Sequence, residues 1–162
     1  MPRTFVDGPK ANKLGGPILW IFDGPYAFLD NFYESPIDVP GLGNCQTVEH
    51  AFQAAKATRR EDALRIAGAK SPGEAKYCGR DPDLVIFPDW ESRRFGVMRT
   101  ALEIKFAAYP RLLVKLFATG DRLIEEGNVW GDDEWGCVNR VGQNWLGRML
   151  MDIRDNGFRV IR

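Results

Sequence analysis

Residues 47–56 decide how this chain is interpreted: they read Thr47-Val48-Glu49-His50-Ala51-Phe52-Gln53-Ala54-Ala55-Lys56. Apolar residues recur here at the three- and four-residue intervals of one helix face, at Val48, Ala51, Phe52 and Ala55. Thr47 precedes this pattern and belongs to the residue types that cap helix N-termini. The stretch therefore predicts an amphipathic helix over about 48–58.

Two charged side chains lie along one edge of the predicted face. On an ideal helix, Glu49 lies about 100° and Lys56 about 80° from Val48, roughly 10 Å apart along the axis. Gln53 lies between them. Such an edge is half-buried, and burial raises the pKa of a carboxyl and lowers that of an amine, which suits catalysis. The alternative is a glutamate that favours the helix dipole and a lysine whose stem covers apolar surface.

The only histidine of the chain, His50, belongs to the same helix. It points about 200° away from Val48, and so away from the apolar face. No second histidine supports a metal site or a serine–histidine pair. We therefore expect His50 to be structural.

Helices and a few short strands are predicted around this stretch. Capping signals and periodicity predict further helices over about 60–69, from the capping box at 71–74 to Gly79, over 90–107 after Asp89, over 111–118, and from Asn144 to about 154. Strands are predicted over 18–22, 123–125 and 158–161, with a strand or structured loop over 26–32 and turn signals over 36–44. This pattern predicts a helix-rich α+β domain over 17–162, preceded by a loose arm over 1–16.

Composition narrows the classes of function. The chain has 162 residues, as one domain would, and its 22 basic residues balance its 22 acidic ones. This balance argues against a broad surface for nucleic acid or membrane, although it allows a local basic pocket for one phosphate. Residues 1–13 lack the apolar core of a secretory signal, and no apolar run is long enough to span a bilayer. We therefore expect a cytoplasmic location.

Metal ions and cofactors are not expected. The three cysteines (Cys45, Cys78 and Cys137) form no CxxC pair, which argues against a disulfide scaffold and a zinc site. We expect them to be reduced thiols packed as small apolar groups. The glycines fall in neither GxGxxG nor GxxxxGK spacing, so no phosphate loop of either kind is predicted.

Polar and aromatic residues exceed what packing needs in four segments: 28–33, 49–56, 89–91, and 128–136 with 142–147. In the last of these, Asp132, Asp133 and Glu134 would repel one another unless one has a partner. One interpretation is a loop that presents a carboxylate to a substrate, with an indole face against a base or sugar. The other is an acidic surface turn with tryptophans packed beneath it.

Taken together, these segments resemble the NADAR superfamily, whose best-known members are YbiA-like N-glycosidases. Residues 28–32 resemble its FLSNF box, 47–56 its TVEHAFQAAK box, 69–80 its SPGEAK–GR segment and 150–154 its closing LMxIR. Further residues match in order and spacing, among them Trp90, Lys105-Phe106, Trp130-Gly131-Asp132, Trp135-Gly136 and Gly147. The resemblance covers roughly 20–154. It departs from the family at Asp30, where serine is usual.

The resemblance implies hydrolysis of a C–N bond at C1′ of a ribose. Such cleavage builds positive charge on the sugar, which a carboxylate stabilises, while a second carboxylate activates water or protonates the leaving base. Glu49 and Asp132 are the candidate carboxylates. Alternatively, Lys56 attacks C1′ of the opened sugar as a Schiff-base nucleophile, provided that its pKa is lowered.

The resemblance also suggests which residues bind the substrate. Asn31 and Asn144 are candidates for orienting ribose hydroxyls, and Trp90, Phe32 and Trp135 for stacking on the base. Lys76 and Arg80, near a helix end, are candidates for holding a phosphate.

Three functions remain open from the sequence. The first is an N-glycosidase acting on a phosphorylated ribosylamine, such as an early riboflavin-pathway intermediate. The second is a hydrolase that removes ADP-ribose from guanine in DNA, as an antitoxin would. The third is a non-catalytic ADP-ribose-binding module. The neutral charge mildly favours the first over the second, because a DNA binder often carries a basic stripe.

Overall fold

The computed structural model describes residues 16–19 and 22–161, most of which lie in helices and the loops between them. The helices are α1 (Val48–Ala54), α2 (Arg60–Ala67), α3 (Pro72–Cys78), α4 (Trp90–Ala108), α5 (Pro110–Phe117) and α6 (Trp145–Asn156), with a 3₁₀ helix at Gly24–Leu29. The strands are β1 (Ile18–Leu19), β2 (Ile37–Val39), β3 (Gly43–Cys45), β4 (Ile124–Glu125), β5 (Gly127–Asn128) and β6 (Cys137–Val138). The predicted helix-rich α+β class is confirmed.

The helix signals in the sequence mark real helix ends. Thr47 precedes α1, and its side chain accepts a hydrogen bond from the backbone N–H of His50. Ser71 does the same for the N–H of Glu74 at the start of α3, while the carboxylate of Glu74 accepts from the N–H of Lys70. These contacts satisfy backbone donors that have no partner within the helix.

The described residues group into two compact units. Unit 1 contains residues 16–19, 22–30 and 111–158, and unit 2 contains residues 31–110 and 159–161. The arm predicted over 1–16 lies outside the described residues, apart from Gly16. The same holds for Trp20 and Ile21 of the first predicted strand.

In unit 2, α1 packs against α2, α3 and α4, and α4 also packs against the antiparallel hairpin of β2 and β3. Because helices surround α1, all seven of its residues are buried. The largest apolar side chains of this core include Ile37, Phe52, Ile66, Leu102 and Phe106. This environment differs from the half-exposed helix that periodicity predicts.

Unit 1 contains two short pairs of parallel strands, β1 with β4 and β5 with β6. The register pairs Ile18 with Ile124 and Gly127 with Cys137. Helix α6 packs against β4. Apolar side chains buried in this unit include Leu29, Leu116, Leu146, Leu150 and Ile153.

Several predicted elements differ from the observed ones. Helix α1 ends at Ala54 and not at 58, because the chain beyond it pairs with residues 85–87: Thr58 N–H donates to Val85 O and Phe87 N–H to Lys56 O. The segment 26–32 contains a 3₁₀ helix where a strand or loop is predicted. Asp89 and Asn144 precede their helices as predicted, but neither makes a capping hydrogen bond through its side chain.

The strand predicted over 158–161 is wrong. Backbone N–H groups of Arg159, Val160 and Ile161 donate instead to the carboxylate of Glu103, at 2.8, 2.8 and 3.2 Å. Arg99 Nε donates to the same carboxylate at 2.6 Å. Burial would raise the pKa of Glu103, but these hydrogen bonds outweigh burial and lower it.

In the part of the chain that the structure describes, no helix has the length and apolar character needed to cross a membrane.

Candidate active site

Glu49 is a buried carboxylate held by two amides. It lies in the first turn of α1 with 3% of its surface exposed. Asn31 Nδ2 donates to its Oε2 at 2.5 Å, and Gln53 Nε2 donates to its Oε1 at 2.7 Å. Its own N–H donates to Asn31 O at 2.9 Å. Both carboxylate oxygens are therefore fixed in direction, as a group that must face a developing charge requires.

Gln53 was not among the predicted site residues. It lies one helical turn after Glu49, and residues four apart on a helix face each other, so this spacing could have indicated the contact. Its side chain is 4% exposed. Because Glu49 takes the NH₂ group, Gln53 Oε1 points the other way and accepts no hydrogen bond within the described residues.

Lys56 lies just beyond the end of α1 and not on the helix, so the predicted angular relation to Glu49 does not apply. Its ammonium donates to Gly79 O at 3.2 Å and lies 5.7 and 6.0 Å from the ring centres of Phe52 and Trp90. Burial lowers the pKa of Lys56 below its usual 10.5, the charge of Glu49 opposes this shift, and Arg80 and Lys76 add to it. Near neutral pH, a larger fraction of Lys56 than of an ordinary exposed lysine is therefore the uncharged, nucleophilic amine.

A depression of about 390 Å³ lies beside α3, lined by Gly73, Lys76, Tyr77, Arg80, Asp81 and Pro82. It contains both predicted phosphate-binding residues, Lys76 and Arg80. The charges of these two residues also act on Lys56, which places the three cations in one neighbourhood. The ammonium of Lys76 further lies 5.6 Å from the ring centre of Phe32. A guanidinium and an ammonium at one depression suit a phosphate group.

Trp90 is buried and packs at a tilt against Phe52, with ring centres 5.2 Å apart. The two rings form an apolar wall beside the Lys56 ammonium. This wall accounts for part of the burial that lowers the pKa of Lys56. Seven of the ten predicted site residues lie in unit 2: Asn31, Phe32, Glu49, Lys56, Lys76, Arg80 and Trp90.

His50 is structural, as predicted, but it does not point away from the core. It is 1% exposed, and its Nε2 lies 3.1 Å from Ala69 O while its Nδ1 lies 2.8 Å from Thr47 Oγ1. A carbonyl only accepts, so Nε2 carries the proton and Nδ1 accepts from the threonine hydroxyl. His50 thus connects α1 to Ala69, in the loop that follows α2.

Unit 1 contains the other three predicted site residues: Asp132, Trp135 and Asn144. Asp132 is half-buried, and its Oδ1 accepts from the N–H groups of Glu134 and Trp135, at 3.2 and 2.9 Å. Asn128 in turn holds the backbone N–H and C=O of Asp132. The carboxylate thus organises the acidic turn, and the repulsion expected there is relieved by backbone N–H donors.

Asn144 is completely buried with left-handed backbone angles. Its side chain donates to Ile124 O in β4 and accepts from the N–H of Glu126, the residue directly after β4, so the amide holds the backbone at this point. A Cβ added at Gly147 would collide with Ile124 O and with this amide. The Asn144–Gly147 spacing in the sequence is therefore explained by a close approach of α6 to β4.

Two of the three cysteines are buried, as expected for packed thiols. Burial raises the pKa of Cys45 to about 11, with the charge of Asp38 adding to the shift. Burial and the charges of Glu125 and Glu126 raise the pKa of Cys137 to about 11. All three cysteines are free.

Comparison with known proteins identifies the family. Residues 20–156 match the NADAR domain family. The chain belongs to the NADAR family. This match contains all ten predicted site residues.

The chain is similar to N-glycosidases and to a riboflavin biosynthesis protein. The chain is 35% identical over 135 residues to an N-glycosidase of Nostoc punctiforme, covering 81% of this chain and 85% of that protein. It is 36% identical over 134 residues to the N-glycosidase YbiA of Escherichia coli, covering 80% and 81%. A riboflavin biosynthesis protein of Vibrio vulnificus is 33% identical over 152 residues, covering 90% of this chain but 40% of that protein.

A solved structure confirms the helix-rich α+β fold. The NMR structure of the Escherichia coli protein YbiA superposes with a TM-score of 0.77 at 31% sequence identity, covering 90% of this chain and 88% of that one.

Proposed function

We propose that this chain is an N-glycosidase that hydrolyses the C–N bond between a base and a phosphorylated ribose, as in early riboflavin-pathway intermediates. The chain is a hydrolase of N-glycosyl bonds: two relatives covered over more than four-fifths of their length are named N-glycosidases. A third relative is named a riboflavin biosynthesis protein. The observation that carries the proposal is the buried Glu49 carboxylate, held by two amides in the electrostatic neighbourhood of Lys56.

Glu49 stabilises the transition state. As the C–N bond breaks, its electron pair leaves with the base and positive charge develops at C1′ of the ribose. A carboxylate whose oxygens are already fixed by Asn31 and Gln53 stabilises this charge without reorganising.

Lys56 is the nucleophile that the geometry of unit 2 supports. In the ring-opened sugar, C1′ is doubly bonded to the protonated nitrogen of the base, and the neutral amine of Lys56 adds to C1′. A proton then moves from the lysine nitrogen to the base nitrogen, the base leaves with the bonding electrons, and a protonated Schiff base remains. Water then adds to C1′ and releases the sugar from the amine. In the alternative route, Asp132 serves as a second carboxylate and water attacks C1′ directly.

The remaining residues bind the substrate. Lys76 and Arg80 at the depression hold the phosphate. Phe32 and Trp90 form aromatic walls in unit 2, and Trp135 is the corresponding candidate in unit 1. Asn31 and Asn144 stay as candidates for contacts to ribose, although the Asn31 amide also holds Glu49 and the Asn144 amide holds β4.

We also propose that the enzyme is cytoplasmic. Three free cysteines in one small chain fit the reducing conditions of the cytoplasm, which is where we place this protein.

The test is a paired turnover assay with the purified protein and Glu49→Ala. One substrate is the aminouracil ribosylamine phosphate, and the other is an oligonucleotide carrying ADP-ribose on guanine, with released sugar followed by mass spectrometry. Turnover of the first substrate alone, lost in Glu49→Ala, supports the proposal. Turnover of the second alone means that ADP-ribosylated DNA is the partner. Binding of ADP-ribose without turnover of either substrate means a binding module.

The same assay separates the two routes. With borohydride present, a Schiff base becomes a stable adduct on Lys56 that peptide mapping detects. Turnover that persists in Lys56→Ala rules out the lysine route and leaves direct attack by water.

A further inference from the structure

Gly79 lies directly after α3. It contacts Lys56 and the residue that holds Glu49, the two candidate catalytic side chains of unit 2. Its carbonyl accepts from the ammonium of Lys56 at 3.2 Å. On its other side, a Cβ at this position would collide with Gln53 Oε1 and would lie 3.0 Å from Gln53 Cβ and Cδ. Gln53 is the residue that donates to Glu49.

The backbone does not explain why residue 79 is glycine. Helices often end at a glycine with left-handed angles, but Gly79 has φ −71° and ψ −7°, which any residue adopts. Space is the remaining reason. The buried Gln53 Oε1 accepts no hydrogen bond from the residues that the structure describes, and it occupies the volume that a Cβ at position 79 would need.

We propose that Gly79 is a positioning residue: its missing side chain admits the Gln53 amide that orients Glu49, and its carbonyl holds Lys56. This inference rests on the proposed function, and it adds that the mutual placement of the carboxylate and the amine is set by one backbone position on α3. Neither Gly79 nor Gln53 touches the substrate in this scheme.

A double-mutant cycle on Gly79→Ala and Gln53→Ala tests the link. The added Cβ must displace Gln53 Oε1 by about 1 Å, and a misplacement of about 1 Å costs roughly 100-fold in rate. We therefore expect kcat to fall about 100-fold in Gly79→Ala with KM little changed. Gln53→Ala removes Oε1 and Cδ and leaves only Cβ at 3.0 Å from the added Cβ, so adding Gly79→Ala to it should lower kcat far less than in the wild type. Additive losses in the double variant, tracking the fall in Tm, would mean a merely structural glycine.

Two further variants keep the experiment decisive. Gly96→Ala is the matched control, since a Cβ at this exposed position in α4 meets no atom within 4 Å, and we expect unchanged kcat. If Gly79→Ala does not fold, Gln53→Met keeps the length of the side chain and removes the amide group, including the donor to Glu49. A kcat for Gln53→Met equal to that of the wild type would overturn the proposal.

Failure of the proposed function is separable from failure of this inference. If the wild type cleaves neither substrate, the proposed function fails, and the cycle is then measured through the rate at which an amine-reactive probe modifies Lys56 at different pH values. Moving the Glu49 carboxylate away from Lys56 weakens the charge interaction that opposes the lowering of the Lys56 pKa, so Gly79→Ala should shift this profile to lower pH. The shift should be absent when Gln53 is already alanine. An unchanged profile in Gly79→Ala would overturn the inference.

Discussion

Replacing Glu49 by glutamine is the most informative single change, because it removes the charge and keeps the shape. Two amide NH₂ groups, from Asn31 and Gln53, face the two oxygens of Glu49. A glutamine offers one oxygen and one NH₂ group, so one of these hydrogen bonds is lost and the other becomes neutral. Hydrogen bonds to charged groups are worth about 1.5–3 kcal/mol each, which sets the scale of the local change.

The effect on catalysis should be larger. Removing one preorganised electrostatic contact to the transition state typically costs about 100- to 1,000-fold in kcat, or roughly 2.7–4 kcal/mol. We expect a loss in this range for Glu49→Gln. Glu61→Gln is the matched control, since Glu61 is an exposed glutamate in α2 of the same unit, and its activity should be unchanged.

The pH dependence gives an independent check on the same variant. Glu49 opposes the lowering of the Lys56 pKa, so without its charge the pKa falls further below 10.5. The neutral amine then persists to lower pH, and the acidic limb of kcat/KM moves to lower pH. Stopped assays across a pH series, with circular dichroism to confirm folding, measure both effects. Activity within threefold of the wild type, or an acidic limb that moves to higher pH, would refute this reasoning.

Three further predictions concern stability. Glu103→Gln should lower the free energy of unfolding by about 2–4 kcal/mol in urea at pH 7, because it weakens hydrogen bonds to a charged acceptor. Because the pKa of Glu103 is lowered in the folded state, its charge stabilises the fold fully above the unfolded-state pKa of about 4.3, and this stabilisation is lost as pH falls through the folded-state pKa. A difference in unfolding free energy between wild type and Glu103→Gln that does not shrink in acid would contradict this prediction. Gly147→Ala should cost about 1–3 kcal/mol through overpacking against Ile124 O, whereas Gly96→Ala should be neutral or stabilising by up to about 1 kcal/mol; equal Tm values for the two variants would exclude the predicted collision. Ser71→Ala should cost about 1 kcal/mol by removing the cap of α3, and urea midpoints matching the wild type would show that the cap is dispensable.

Local signals in the sequence predicted the helices well, because caps and periodicity act over a few residues. Ser71 and Thr47 make the predicted capping contacts. Long-range pairing was not predictable in this way. The early end of α1 results from pairing with residues 85–87, and the missing final strand results from the carboxylate of Glu103, 56 residues away from Arg159.

The candidate site was predictable as residue types but not as geometry. Helical periodicity placed Glu49 and Lys56 on one half-exposed edge, whereas helices on several sides bury Glu49 and the turn after Ala54 carries Lys56 away from the helix. Gln53 and Gly79 were missed as a pair because they lie 26 positions apart. Their contact depends on the packing of α1 against α3, which no local pattern encodes.

The bonds between Glu103 and residues 159–161 also shape how the chain unfolds. They close a loop that contains the whole second segment of unit 1, residues 111–158. While these bonds hold, that segment melts as a tethered loop and not as a free end. Closing a loop of 56 residues lowers the conformational entropy of the melted segment. By the logarithmic dependence on loop length, this raises the free energy of the melted segment by roughly 3.5 kcal/mol. Partial melting of this segment is therefore discouraged, and hydrogen exchange there should report opening of the Glu103 contacts as a common prior step.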